Sequence, residues 1–262
     1  MIVVKNLTMA FGDRVVIDNV SFEVSRGEIF AFLGPNGAGK TTTVKILTTL
    51  LTASGGSIRI DGLDLAREQG EIRKRFGIVF QDPSLDRELT AHENLDLHGV
   101  LYNVPRAARR ERIRSLLEMF DLWARRDELV AGFSGGMMRR LEIARGLLHK
   151  PRILYLDEPT AGLDPQSRNQ LWSYIRELNR SDETTVFLTT HYMEEAERVA
   201  SRIGVIDHGK IVAIGSPVEL KQRTRKNTLE EAFLSLTGTA VRQDTDGGID
   251  ELRQHDRLWR AR

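Results

Sequence analysis

No cysteine occurs anywhere in the sequence, so disulfide frameworks, thiolate metal sites and a cysteine nucleophile are all excluded. A cysteine-free chain of 262 residues fits a reducing cytosol. No window approaches the roughly 18 uninterrupted apolar residues of a membrane span. The opening residues, Met1-Ile2-Val3-Val4-Lys5, lack the basic-then-apolar pattern of a secretory leader. An excess of one charge is missing too: 38 basic residues face 37 acidic ones, a formal net of +1. That balance provides no whole-molecule field for nucleic acid or anionic lipid. Lysine is scarce, at eight of the 38 basic residues, and no internal repeat is present. What remains, at 40% hydrophobic, suffices for one good-sized core in a soluble protein that acts from outside any bilayer.

Short apolar or alternating segments at 2–4, 15–17 and 20–24, with Gly12-Asp13 as a turn signal, predict β-strands near the N-terminus. The run Ile29-Phe30-Ala31-Phe32-Leu33 predicts a buried strand. It ends in a glycine-rich loop, after which Val44, Leu47, Leu50 and Leu51 have helical spacing over 41–51. Further strands are expected at 57–60 and 76–80, and helices over about 82–150. Strand character returns at 153–156, 185–188 and 203–206, with a helix at 166–178. This alternation predicts an α/β fold with a mostly parallel sheet, interrupted by a helical insertion. The basic run at 106–114 has no interleaved aromatics and reads as a solvated helix face. Past Gly238 periodicity fades, and 239–262 reads as a linker followed by a charged, poorly ordered tail.

The loop Gly34-Pro35-Asn36-Gly37-Ala38-Gly39-Lys40-Thr41 fits G-x-x-x-x-G-K-[ST] between a predicted strand and a predicted helix. Its glycines let backbone N–H groups turn inward around phosphates, and the helix start adds its positive dipole end. Lys40 would reach the β- and γ-phosphates and the Thr41 hydroxyl would hold Mg²⁺. Such a loop needs a carboxylate at the end of a buried strand. Ile153-Leu154-Tyr155-Leu156-Asp157-Glu158 supplies two: Asp157 to support the metal, Glu158 to act as general base on the attacking water. Paired acids at strand ends are commonly just solvated; the phosphate loop in the same chain is what favours the functional assignment.

With five further elements in order, the sequence resembles the ATP-binding cassette (ABC) ATPase family over about residues 1–220. Phe133-Ser134-Gly135-Gly136-Met137 is similar to the signature loop, usually Leu-Ser-Gly-Gly-Gln. Gln81 is similar to the Q-loop glutamine, Ala161-Gly162-Leu163-Asp164 to the D-loop, and His191 to the switch histidine. Phe11 stands where the family places an aromatic, most often Tyr, against adenine. Singly, each has a plain structural explanation: Asp164 before Pro165 as a helix start, Phe11 as core, Gln81 as a loop amide, His191 as a satisfied polar group. Their joint occurrence displaces those explanations.

The resemblance implies a P-loop NTPase: a RecA-like core, an N-terminal antiparallel β subdomain, a helical subdomain inserted at about 82–150, and a C-terminal extension over 221–262. It extends the ATP contacts to Pro35, Asn36, Ala38 and Thr42, and puts Gln81 near the metal as well as the reaction. It also implies that Ser134, Gly135, Gly136 and Asp164 serve an ATP held by a second copy, so that a homodimer sandwiches two nucleotides and drives separately encoded transmembrane permease subunits from the cytoplasmic face of the membrane. Phe133 and Met137 depart from the usual signature, while Ser134, Gly135 and Gly136 are intact. Ser-Gly-Gly-Met followed by Arg139-Arg140, together with Thr228-Leu229-Glu230-Glu231-Ala232-Phe233-Leu234, resembles the drug- and antibiotic-exporting branch, similar to daunorubicin-resistance ATPases. Other readings are a non-transport ABC ATPase on ribosomes or DNA, an importer ATPase, and a P-loop kinase or GTPase. One cassette, no long coiled coil and no N-K-x-D motif weigh against the first and last.

Overall fold

The computed structural model describes residues 1–238. Two long antiparallel strands open the chain, β1 (Ile2–Phe11) and β2 (Arg14–Val24), joined by the Gly12-Asp13 turn. With β4 (Gly55–Ile60) and the short β5 (Leu63–Asp64) they form a four-stranded antiparallel sheet in the order β2-β1-β4-β5. The three short N-terminal strands of the sequence reading are thus two long ones. Asn6 and Asn19, with φ of 51° and 53°, sit at register shifts that break the alternation but not the pairing.

The second sheet contains β3 (Ile29–Leu33), β6 (Phe76–Val79), β7 (Ile153–Asp157), β8 (Thr185–Thr190), β9 (Arg202–Asp207) and β10 (Lys210–Gly215). Their order is β10-β9-β3-β8-β7-β6, all parallel except the β9–β10 hairpin. The α/β architecture with a mainly parallel sheet is therefore present, as is the antiparallel N-terminal sheet. β3 is buried at all five positions because both of its faces are packed. Ile29, Ala31 and Leu33 join one core with the helices, whereas Phe30 and Phe32 point into the other. There Phe22 of the first sheet meets Phe30, Phe32 and Phe187 with ring centroids 5.5–5.9 Å apart, fastening one sheet to the other.

The helix α1 (Lys40–Leu47) follows β3 and buries Val44, Ile46 and Leu47 between the sheets. It ends before the expected 51: the Thr48 hydroxyl bonds back to the Val44 carbonyl at 2.7 Å, Thr49 turns to φ 64°, and Leu50 is left 59% exposed. A short α2 (Gln69–Arg73) precedes β6. The adjacent parallel strands β6 and β7 are connected by a helical excursion comprising α3 (Ala91–Leu101), α4 (Arg106–Met119) and α5 (Gly135–Leu147). A capping box starts α3, in which Thr90 accepts from the Glu93 amide and Glu93 from the Thr90 amide. The basic run on α4 is more engaged than a solvated face. Arg109 pairs with Asp96 at 2.6 Å, Arg112 donates to the Leu148 carbonyl, and Arg114 lies over the Trp123 ring.

After β7 comes α6 (Pro165–Asp182), then β8, α7 (Met193–Val199), β9 and β10. The last described helices, α8 (Pro217–Thr224) and α9 (Leu229–Thr237), seat Leu220, Leu229 and Phe233 in the same core as Ile29 and Leu33. The linker expected over 239–262 lies outside the described residues. Among the described residues, no helix is long and apolar enough to cross a membrane.

Candidate functional site

Because β3, β8, β7 and β6 are neighbours and parallel, the segments leaving their carboxyl ends meet on one edge of the sheet. Those segments are the phosphate loop, His191, the Asp157–Glu158 pair and Gln81. The strands are in register: Leu33 pairs with Thr190, Asp157 with Thr189, and Val79 with Leu156.

The loop bends through Gly37 and Gly39, at φ 75° and 103°, a region that strains residues with a Cβ. Gly39 also lies so close to β2 that a Cβ there would meet the Val16 carbonyl oxygen at 3.0 Å. Ala38 accepts a hydrogen bond from the Gly209 amide at 3.2 Å, so the loop is backed by β2 and the β9–β10 turn. The amides of Lys40, Thr41 and Thr42 open α1 and have no acceptor among the described residues, which leaves three N–H donors at the positive end of the helix dipole. Asn36 and Gly37 are exposed; Pro35, Thr41 and Thr42 are half-buried.

Lys40 is buried and donates to the Gly34 and Pro35 carbonyls at 2.9 and 3.1 Å. Its ammonium also pairs with Glu158 Oε1 at 3.1 Å, and Glu158 Oε2 meets His191 Nδ1 at 3.1 Å. The three groups form one chain, Lys40–Glu158–His191. Glu158 adopts φ 46°, an uncommon conformation for a residue with a side chain, and its amide is held by the Thr189 hydroxyl at 3.0 Å. Thr189 also donates to Asp157 Oδ1 at 2.5 Å, and Thr41 donates to the same oxygen at 3.2 Å. Burial pushes the Asp157 carboxyl above its ordinary range and the adjacent Glu158 charge adds to this; the two hydroxyls and Lys40 oppose it. The donors that converge are hard oxygens, Thr41 Oγ1 and Asp157 Oδ1, which fit Mg²⁺. That ion is usually held by one or two carboxylates while phosphate oxygens and waters complete its shell. Clusters of three or more His, Asp or Glu suited to a dedicated metal cage are absent among the described residues.

The remaining predicted residues lie apart from this cluster. Ser134 N-caps α5 by accepting from the Met137 amide at 3.3 Å, and Asp164 N-caps α6 by accepting from the Ser167 amide at 2.9 Å. The two helix starts touch: a Cβ on Gly136 would meet Ser167 Oγ at 2.8 Å, while one on Gly135 would meet nothing within 4 Å. Ser134 and Gly135 therefore face outward. Among the described residues, no hydrogen bond or ion pair joins them or Asp164 to Lys40, Glu158 or His191. Phe11 is 41% exposed at the tip of the hairpin whose second strand backs Gly39, so it is not a core residue. The Gln81 side chain is exposed, but its carbonyl accepts from Arg139 at 2.8 Å. Two contributors escaped the sequence reading. Thr189 organises both acids, which only the β7–β8 register reveals; Arg139 holds the Gln81 carbonyl, which only the packing of α5 on the segment after β6 reveals.

A family profile described as ABC transporter matches residues 17–161. The daunorubicin resistance ATP-binding protein DrrA3 of Streptomyces coeruleorubidus is 41% identical over 260 residues, covering 95% of this chain and 81% of that protein. The Nod factor export ATP-binding protein I of Ralstonia nicotianae is 43% identical over 217 residues, 83% of this chain and 67% of that protein. Among solved structures, the dimeric post-hydrolysis state of the ATP-binding cassette MJ0796 bound to ADP and Pi superposes with a TM-score of 0.75 at 29% identity, covering 82% of this chain and 98% of that one.

Proposed function

Because the chain belongs to the ABC transporter family of ATP-binding subunits, we propose that two copies enclose ATP between them and drive export through transmembrane permease subunits bound at the cytoplasmic face of a membrane. The chain is an ATPase, and its resemblance to drug-resistance and Nod factor export subunits favours export over the importer, ribosome and DNA readings. One observation carries the proposal: the Lys40–Glu158–His191 chain stands at the sheet edge beside the phosphate loop, while Ser134 and Gly135 face outward at a separate helix start.

In this reading the loop amides and Lys40 bind the β- and γ-phosphates, and Phe11 stacks on the base. Thr41, Asp157 and Gln81 hold Mg²⁺, which when bound neutralises phosphate charge. A γ-phosphate on Lys40 competes with Glu158 for the ammonium. The Glu158 carboxylate then accepts a proton from a water whose oxygen bonds to the γ-phosphorus, while the bond to the β–γ bridging oxygen breaks and ADP departs. His191 holds that carboxylate through Nδ1. Ser134, Gly135 and Gly136 of a second copy, with its Asp164, close over the γ-phosphate.

The permease is expected at the exposed apolar stripe of α3, where Leu97, Val100 and Leu101 are 51%, 50% and 70% exposed near the segment that follows Gln81. An affinity-tagged chain captured from detergent-solubilised membranes of its own cells should retain a polytopic membrane protein. The pair Leu97→Glu and Leu101→Glu should lose it. Co-sedimentation with ribosomes and no membrane partner would overturn the export reading.

A further inference from the structure

One hydrogen bond aims the His191 ring at Glu158, Nδ1 to Oε2 at 3.1 Å, yet the histidine side chain is 33% exposed. A single bond at one edge leaves a ring free to pivot about it. Tyr192 adds a contact with the ring itself: the two centroids are 4.0 Å apart and the planes are inclined by 40°. Tyr192 is held in its turn. Its amide donates to the Thr190 hydroxyl at 2.9 Å, and the Arg168 guanidinium lies over its ring, with Cζ 4.8 Å from the centroid. Arg168, near the start of α6, places Nε 3.3 Å from Glu195 Oε1 and donates through Nη2 to the Leu163 carbonyl at 3.4 Å. Glu195, on α7, is 5% exposed, and its Oε2 accepts from the Thr160 hydroxyl at 2.8 Å.

A guanidinium covers a ring with its plane and meets a carboxylate with its edge, and Arg168 does both. Burial pushes the Glu195 carboxyl up, while the Thr160 hydroxyl and the Arg168 charge oppose this, so the buried acid fixes where the guanidinium sits. Four side chains form a series, Glu195–Arg168–Tyr192–His191, that ends on Glu158. Among the described residues, no hydrogen bond or ion pair joins the first three to Lys40, Asp157 or Glu158. The series matters most once ATP is bound. Glu158 then yields Lys40 to the γ-phosphate and keeps His191, so the angle of that ring sets where the carboxylate points. Without nucleotide, Lys40 holds Glu158 whatever the ring does.

We propose that Tyr192 and Arg168 are positioning residues for ATP hydrolysis: Arg168, anchored on Glu195, holds the Tyr192 ring, and Tyr192 holds the His191 ring at the angle where Nδ1 meets Glu158. That role rests on the reading of His191 and Glu158 as the pair that acts on the attacking water. It places the control of the ring's angle on side chains that never touch the nucleotide.

The test measures phosphate release against ATP concentration in the full chain. Tyr192→Leu keeps most of the volume but has no π face. Its kcat should fall about tenfold, the scale of a small misplacement of a reacting group, while KM for ATP and the melting temperature stay unchanged. Tyr192→Phe keeps the ring and should retain the parent rate. Arg168→Lys keeps a charge beside Glu195 but leaves the ring uncovered, and should lower kcat about fivefold. Combined with Tyr192→Leu it should cost nothing further, because both act through one ring. Tyr192→Leu at the parent rate, Tyr192→Phe as slow as Tyr192→Leu, or losses that multiply in the double variant each overturn the inference. So does a joint change in kcat, KM and melting temperature, which marks mere packing. Where Tyr192→Leu does not fold, Arg168→Lys carries the same kcat-against-KM test. A His191→Ala chain that turns over at the parent rate overturns the reading of His191 instead; in a slowed one, Tyr192→Leu should add no further loss.

Discussion

Glu158→Gln is the most informative single substitution. Glutamine preserves the volume, and its carbonyl oxygen still accepts from His191, so the local fold should survive. Three charges then matter: Lys40 is positive, Asp157 and Glu158 negative, and the cluster sums to −1. The variant brings it to zero and removes a repulsion on the incoming triphosphate. Side chains of Lys40 and Glu158 are only 5% and 11% exposed, and their contact is 3.1 Å. Breaking such a pair costs about 3–5 kcal/mol when the survivor is left uncompensated. Lys40 keeps the Gly34 and Pro35 carbonyls and the nearby Asp157 charge, so about 3 kcal/mol is the ceiling. At about 2–4 °C per kcal/mol for a protein this large, the variant alone should melt up to roughly 10 °C lower. MgATP should recover that loss, because phosphate oxygens replace the missing carboxylate on Lys40. Phosphate release at saturating MgATP should fall by about 10²–10⁴, the usual worth of a general base. ATP affinity by calorimetry should hold or tighten. A turnover within twofold of the parent refutes the role given to Glu158, and a clear loss of ATP affinity refutes the charge argument.

Acid should unfold the protein partly through two histidines. Burial lowers both His98 and His149 to about 4, with Arg145 and Arg112 respectively repelling their protons. Against an unfolded value near 6.5, both stay neutral in the fold. Their contribution is complete above about pH 6.5 and is lost as pH falls toward about 4, at no more than about 1.4 kcal/mol per unit each. The partial exposure of both rings lowers that figure. The denaturant midpoint should therefore drop over this window, and His98→Gln should flatten the drop; an unchanged slope contradicts the assignment. Gly136→Ala should press on Ser167 Oγ, 2.8 Å from the added carbon, and weaken ATP-driven pairing about fivefold, equivalent to ~1 kcal/mol of overpacking. Single-copy ATP affinity should not change, Ser167→Ala should restore pairing in part, and undiminished pairing of Gly136→Ala refutes the contact's importance.

Much of this molecule is legible in its residues, for reasons that differ by element. The five residues of β3 read as a buried strand because both faces of a central parallel strand must be apolar. The phosphate loop reads clearly because glycines at positive φ, a lysine and a threonine have few substitutes in a phosphate cradle. Residues 2–24 are less legible, since Asn6 and Asn19 interrupt alternation at bulges that long-range pairing tolerates. The end of α1 differs from the sequence pattern because Leu50 and Leu51 keep the helical spacing, whereas two consecutive threonines and a positive φ at Thr49 end the helix first. Thr189 and the Arg139–Glu142 pair were illegible in principle. Their partners lie 32 and about 58 residues away, and only the strand register and the packing of α5 on the segment after β6 bring them together.

In the proposed sandwich, one triphosphate is held from two sides by two copies of this chain. The most direct measurement of that arrangement is the mass of Glu158→Gln by sedimentation equilibrium as ATP is added, repeated with Ser134→Ala in the same chain. The expected result is a monomer without nucleotide, a dimer with ATP, and a dimer lost on removal of the Ser134 hydroxyl while ATP still binds. A protein that stays monomeric at saturating ATP, or pairs equally well without nucleotide, contradicts it.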